Sequence, residues 1–252
     1  SCTHDHLLPA IRVAGLRRRL LIDVHAGSFG QYRQELLEPS AQLNEFRPDI
    51  VLLSLTAREA VARVPLGATQ AEADLAISSW VGELRELWNK ARSAFSATIV
   101  QQTFLDVSEP VFGDFDRLVP GSPARVVARL NDQTIDAAGQ DGVLLLDVAR
   151  ASARDGIDAW FDIARWLQGK IEIAPHSAQR YGEMLSRVIG AQRGQSKKCL
   201  VLDLDNTMWG GVIGAGAATH RPAAAQRPAA RPSGRRTGAC RGLARGTCRG
   251  GQ

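Results

Sequence analysis

Short, wholly apolar runs set between longer amphipathic stretches constrain this 252-residue chain more than any other feature. Val51-Leu52-Leu53, Val143 to Leu146 and Cys199 to Leu202 have strand length and lack the polar alternation of a half-solvated sheet. Runs of this kind belong to strands covered on both faces, as in a parallel sheet between two layers of helices. Strands are therefore predicted over Ile50 to Leu55, Ala97 to Phe104 and Val143 to Val148, with a further short one over Leu20 to Val24. Helical spacing of apolar residues predicts helices over Leu7 to Arg18, Gln31 to Leu37, Gln70 to Phe95, Pro123 to Ala138 and Ser177 to Ala191. Trp80 and Trp88 are both expected in the core of the longest helix, and Phe161 to Leu167 is expected to line a loop.

The chain divides into three parts. Residues 1 to about 193 form one three-layer α/β domain, flavodoxin-like in its layering; 197–214 open a second domain; 215–252 are a tail. Ala, Gly, Arg and Pro make up 28 of the 38 tail residues, and Leu243 is its one large aliphatic group. So little apolar surface cannot offset the entropy of ordering, so a disordered tail is expected. Those four residue types also share codons that begin with two G or C bases, and composition breaks abruptly after Gly214. A reading-frame change in a GC-rich gene is the expectation; an arginine-rich nucleic-acid tail is the competing one.

Charge follows the same division. Eight of the 31 basic residues and none of the 26 acidic ones lie in the tail, so residues 1–214 carry a net charge of −3 against +5 overall. No specific nucleic-acid partner is expected of the body. No apolar run approaches the roughly 18 residues of a membrane span, and no signal-peptide pattern opens the chain. Four cysteines lack zinc-like spacing and a disulfide framework, which suits a reducing cytoplasm.

Chemistry concentrates at Cys199-Leu200-Val201-Leu202-Asp203-Leu204-Asp205-Asn206-Thr207-Met208-Trp209-Gly210-Gly211-Val212-Ile213-Gly214. In open α/β sheets ligands bind beyond the carboxyl ends of strands, where Asp203 and Asp205 would stand. Two carboxylates at this spacing are what phosphoryl transfer through an aspartyl phosphate needs. A bare Asp-x-Asp-x-Thr also serves simply to build a turn.

The whole run resembles the first motif of the haloacid-dehalogenase-like (HAD) phosphatases, and specifically the FkbH-like branch, with Met208 in place of Leu. The resemblance implies Asp203 as nucleophile and Mg²⁺ ligand. It implies Asp205 as general acid/base and second Mg²⁺ ligand through its carbonyl, and Thr207 as the residue that fixes the loop. Relatives are implied to dephosphorylate 1,3-bisphosphoglycerate, a phosphorylated three-carbon donor, and to load the glyceryl unit on an acyl carrier protein for polyketide extender-unit synthesis. HAD sites also need a downstream lysine and further acids, yet no lysine follows Lys198 and no acid follows Asp205. An inactive catalytic half is expected of this chain.

Leu7-Leu8-Pro9-Ala10, Phe29-Gly30-Gln31-Tyr32-Arg33 and Arg47-Pro48-Asp49-Ile50-Val51-Leu52-Leu53 look like the region ahead of the HAD domain in FkbH-like proteins. That region is similar to the SGNH hydrolases. The resemblance puts Ser1 near their nucleophile position and His176 near their histidine, with the first strand missing. Ile173, three residues before His176, replaces the acid that would orient the base. His25, in a glycine-rich loop, is a candidate ligand contact or a solvated loop residue. Tyr32 and Arg33 either bind a phosphopantetheine arm or cover the sheet. A carrier-protein docking scaffold and an SGNH-type esterase or acyltransferase are the alternatives to the phosphatase/transferase.

Overall fold

The computed structural model describes residues 2–196, which belong to one compact unit. Three of the predicted strands form in them: β1 (Ile50–Leu53), β2 (Thr98–Gln102) and β3 (Leu144–Leu146). They make a parallel sheet in the order β1-β2-β3, with Ile50 opposite Thr98 and Val100 opposite Leu144. Each strand is shorter than its predicted span because pairing, not hydrophobicity, sets the limits of a ladder. The strand expected over Cys199 to Leu202 and the tail lie outside the described residues.

The helices that flank the sheet are α1 (Leu8–Leu16), α2 (Tyr32–Leu37), α3 (Ala41–Phe46), α4 (Arg58–Val61), α5 (Gln70–Phe95), α6 (Pro123–Asp141), α7 (Val148–Asp155), α8 (Ile163–Gly169) and α9 (Ala178–Gln192). Their starts are written in the sequence. Thr69 and Glu72 form a reciprocal capping box at α5, and Ser122 ahead of Pro123 caps α6. Trp80 and Trp88 are wholly buried on α5, as their spacing predicts.

Alternation along the strands separates two cores. Leu53 and Ile99 pack on one face with Trp80, Leu84 and Leu130 of α5 and α6. Val100 and Leu146 pack on the other with Ile11, Tyr181 and Leu185 of α1 and α9. The result is helix, sheet, helix.

Two expectations are corrected. Leu20 to Val24 is not a strand, because no described strand pairs with it. Phe161 to Leu167 is no loop lining: Asp162 accepts from the Ala164 N–H at 2.8 Å and starts α8, which buries Trp166.

The α1–α9 contact is close because Gly182 has no side chain. A Cβ at Gly182 would stand 2.6 Å from the carbonyl oxygen of Ala10. Gly182→Ala is expected to push the helices apart and cost about 1–3 kcal/mol. A chemical-denaturation midpoint equal to that of the parent would contradict this packing.

Candidate functional site

Parallel strands point their carboxyl ends at one rim, and polar side chains gather there. Ser54 follows β1 directly and Gln102 ends β2. Gln102 projects to the α9 face, where Tyr181 donates its hydroxyl to Gln102 Oε1 at 2.7 Å. The Ser54 hydroxyl donates to the same oxygen, also at 2.7 Å. Gln101 points the other way and accepts from Trp88 Nε1 at 3.0 Å.

The start of the chain is tied to this rim. The Thr3 N–H donates to the Lys170 carbonyl at 2.9 Å, and Thr3 Oγ1 donates to that of Gly169 at 2.7 Å. These bonds place His4 Nε2 2.9 Å from Ser54 Oγ and 3.2 Å from Cys2 Sγ. Both hydroxyls are committed as donors to Gln102, so Ser54 Oγ is left to accept. The donor pattern therefore assigns His4 the neutral Nε2–H tautomer, with Cys2 Sγ beside the same proton.

Burial sets the charge state. It pushes His4 down to about 4 and pushes the Cys2 thiol well above its ordinary value. The resting pair is thus a neutral thiol beside a neutral imidazole. Glu172, next to this cluster, is fully buried, and neither carboxylate oxygen has a described hydrogen-bond partner. Desolvation raises it from 4.5 to about 8, against the opposing pull of Arg58. The Arg58 guanidinium lies 4.2 Å from the centre of the Trp166 ring, and Lys170 Nζ lies 5.2 Å from it. Two cations thus ride on Trp166, at the start of α4 and the end of α8.

Cys2, His4, Ser54 and Tyr181 form the polar end of a groove of about 740 Å³ that continues along β1 to Asp49 and Arg193. Among the described residues no group of three or more His, Cys, Asp or Glu could hold a metal.

The predicted site residues fare differently. Ser1, Asp203, Asp205 and Thr207 lie outside the described residues. His176 is exposed in the short turn Pro175–Ser177 ahead of α9, and Ile173 is buried in the core. His25 lines the groove with its ring 5.6 Å from that of Phe46. Tyr32 lines the groove and donates to Glu59 at 2.9 Å, and Arg33 pairs with Glu83 at 2.7 Å and lies over Trp80. Cys2 and His4 were not foreseen. A Cys-x-His pair has no metal-site spacing, and its partners come from residues 54, 102 and 181. The one signal available was their place beside the serine position at the chain's start.

Comparison with known proteins fits this architecture. A crystal structure of the N-terminal part of the protein BF1531 from Bacteroides fragilis, containing a phosphatase domain and complexed with Mg, superposes with a TM-score of 0.72 at 20% identity. The match covers 85% of this chain and 56% of that one, so the chain spans little more than half of its neighbour. That likeness shows a shared fold. No curated protein matches. The model of the FkbH N-terminal domain matches residues 1–184, and on that match the chain belongs to the FkbH family.

Proposed function

We propose that the chain is part of an FkbH-type enzyme that takes an acyl phosphate of a phosphorylated three-carbon acid and passes the acyl group to a carrier-protein thiol. The match of residues 1–184 to the FkbH N-terminal domain carries this reading. In it, residues 1–193 are an SGNH-like domain and 197–214 open a HAD-like phosphatase domain.

The cluster at the rim supplies the acyl-transfer half. Cys2 sulfur bonds to the carbonyl carbon of the acyl phosphate, the carbon–oxygen bond to phosphate breaks, and inorganic phosphate leaves. The thiol proton passes through His4 to the departing phosphate. Because burial disfavours a separated thiolate and imidazolium, the proton must move as the sulfur attacks. His4 can accept it as the Nδ1–H tautomer, in which Nε2 has lost its proton and its lone pair faces Cys2 Sγ. A second thiol, that of the carrier, then displaces the acyl group from Cys2. Arg58 and Lys170 at the rim offer positive charge to the remaining phosphate.

The phosphatase half rests on Asp203 and Asp205. The Asp203 carboxylate and the Asp205 main-chain carbonyl are hard oxygen donors that suit Mg²⁺, which would be held there and would neutralise charge on the phosphoryl oxygens. Asp203 attacks phosphorus and Asp205 handles the proton of the leaving oxygen. With no lysine after Lys198 and no acid after Asp205, the 252-residue chain lacks the lysine and the further acids that the resemblance implies for such a site. Losing one such group costs on the order of a hundredfold.

The expected result is no catalytic phosphate release from this chain with Mg²⁺ present, beyond the single equivalent that acylation of Cys2 sets free. Activity should be recovered in the protein that carries its whole phosphatase domain, and lost again there in Asp203→Asn. Turnover by the 252-residue chain that vanishes in Asp203→Asn would overturn the assignment of residues 215–252 as inert. The scaffold reading predicts carrier binding with no chemistry at either site. An SGNH-type esterase predicts labelling by a fluorophosphonate, for which the exposed His176 and buried Ile173 offer no supported base.

A further inference from the structure

Five of the seven residues of α8 are exposed. Trp166 is its one buried side chain and anchors the helix, while the Asp162 carboxylate accepts from the Ala164 and Arg165 N–H groups at its start. Ile163 and Leu167, one turn apart, share a face and are 53% and 67% exposed. Folding gains little from either side chain there. A capped helix that holds an apolar pair in water, bordered by polar groups, marks a surface for a partner.

Charge narrows the partner. Arg165 on the helix, and Lys170 and Arg58 beside Trp166, are all exposed. Among the described residues no carboxylate forms an ion pair with any of the three. Other exposed apolar stretches differ. Phe112, Phe115 and Leu118 have Glu109 and Asp114 beside them in sequence. Arg12, Arg17 and Arg18, around the exposed Val13 and Leu16, pair with Asp23 and Glu183. Position singles out α8 as well. Where it ends, the Gly169 and Lys170 carbonyls hold Thr3, the neighbour of Cys2. A partner resting on α8 therefore stands beside the thiol.

We infer that α8 is the docking face for the acyl acceptor, an acidic carrier protein that lays an apolar, carboxylate-flanked helix across Ile163 and Leu167. Arg165 meets its carboxylates directly. Lys170 and Arg58 add to the positive field that draws it in and remain at the rim for the phosphate of the donor. Docked there, the carrier leaves its thiol-bearing arm free to reach Cys2. This inference rests on the acyl-transfer reading for what the partner carries; where the partner sits follows from the exposed face and its unpaired cations.

Binding of an acyl carrier protein, bearing its phosphopantetheine arm, to the 252-residue chain tests it. No acyl donor is needed, so the result is separate from that of the reaction. Leu167→Glu and Arg165→Glu change exposed side chains outside the Cys2 cluster. Leu167→Glu should weaken carrier binding about tenfold or more. Arg165→Glu should weaken it about threefold or more, by an amount that shrinks as salt rises. With an acyl-phosphate donor, both variants should acylate Cys2 and pass the group to free pantetheine as the parent does, losing only transfer to the carrier. Weaker carrier binding in both variants, with no acyl group on Cys2 in any of the chains, would leave the docking face standing and sink the reaction. Equal carrier binding by the parent and Leu167→Glu would overturn the inference, as would a parent that binds no carrier. A parent that self-associates through this face, losing the association in Leu167→Glu while still binding the carrier, would assign α8 to a second copy and equally overturn it.

Discussion

Cys2→Ala is expected to take up no acyl group from an acyl-phosphate donor, while the parent chain acquires one per molecule. The expectation follows from geometry. Among the described residues Cys2 brings the one thiol that lines the groove, and His4 Nε2 lies 3.2 Å from it. Removing a covalent nucleophile removes the path itself, so adduct formation should fall on the order of a thousandfold or more. His4→Ala leaves the thiol but removes the proton acceptor, and should cost about a hundredfold or more. Because this step uses none of the HAD-like half, the adduct should retain its remaining phosphate in the 252-residue chain. Intact-protein mass and peptide mapping read both outcomes. An adduct that persists in Cys2→Ala, on Ser54 or elsewhere, would remove Cys2 from the reaction.

Glu172→Gln is expected to stabilise the protein in alkaline solution. The folded state holds the Glu172 proton up to about 8, whereas the unfolded chain releases it near 4.5. Between those values the folded state binds the extra proton, so stability is greatest at the acid end and falls as pH rises, levelling off above about 8. Each unit in that window costs about 1.4 kcal/mol. The glutamine variant cannot ionise and should lack this slope. The two proteins should be similar near the acid end, with the variant ahead on the order of 4 kcal/mol at the alkaline end. The charge of Glu172 also raises the Cys2 thiol, so Glu172→Gln should quicken alkylation of Cys2 in alkaline solution. Parallel stability profiles for the two proteins would mean that the carboxylate has a partner which offsets its burial.

Much of the layering was legible because it depends on local pattern. The helix over Gln70–Phe95 was predicted at its observed ends, since Thr69 and Glu72 cap it and Ser96 closes it in a left-handed conformation. The sheet was legible in kind but not in extent. Leu20 to Val24 has every property of a strand except a neighbour, and a neighbour is not a property of five residues. The rim cluster was not legible at all. Cys2 and His4 are meaningful only once β1 and β2 bring Ser54 and Gln102 beside them, and α9 adds Tyr181. Glu172 sits between two isoleucines in a stretch that reads as ordinary. Its isolation follows from its burial near Cys2 and Arg58, which are remote in sequence and which no spacing rule reports. Asp203 and Asp205, the residues that dominate the sequence reading, lie outside the described residues and stand on resemblance.

Mass analysis of a carrier protein bears most directly on the whole account. The carrier, bearing its phosphopantetheine thiol, would be incubated with 1,3-bisphosphoglycerate, Mg²⁺ and the protein complete with its phosphatase domain. The account predicts a carrier heavier by one dephosphorylated glyceryl group, with Cys2→Ala leaving it unchanged. A carrier that stays unmodified with the active parent protein, or one charged equally well by Cys2→Ala, would contradict it.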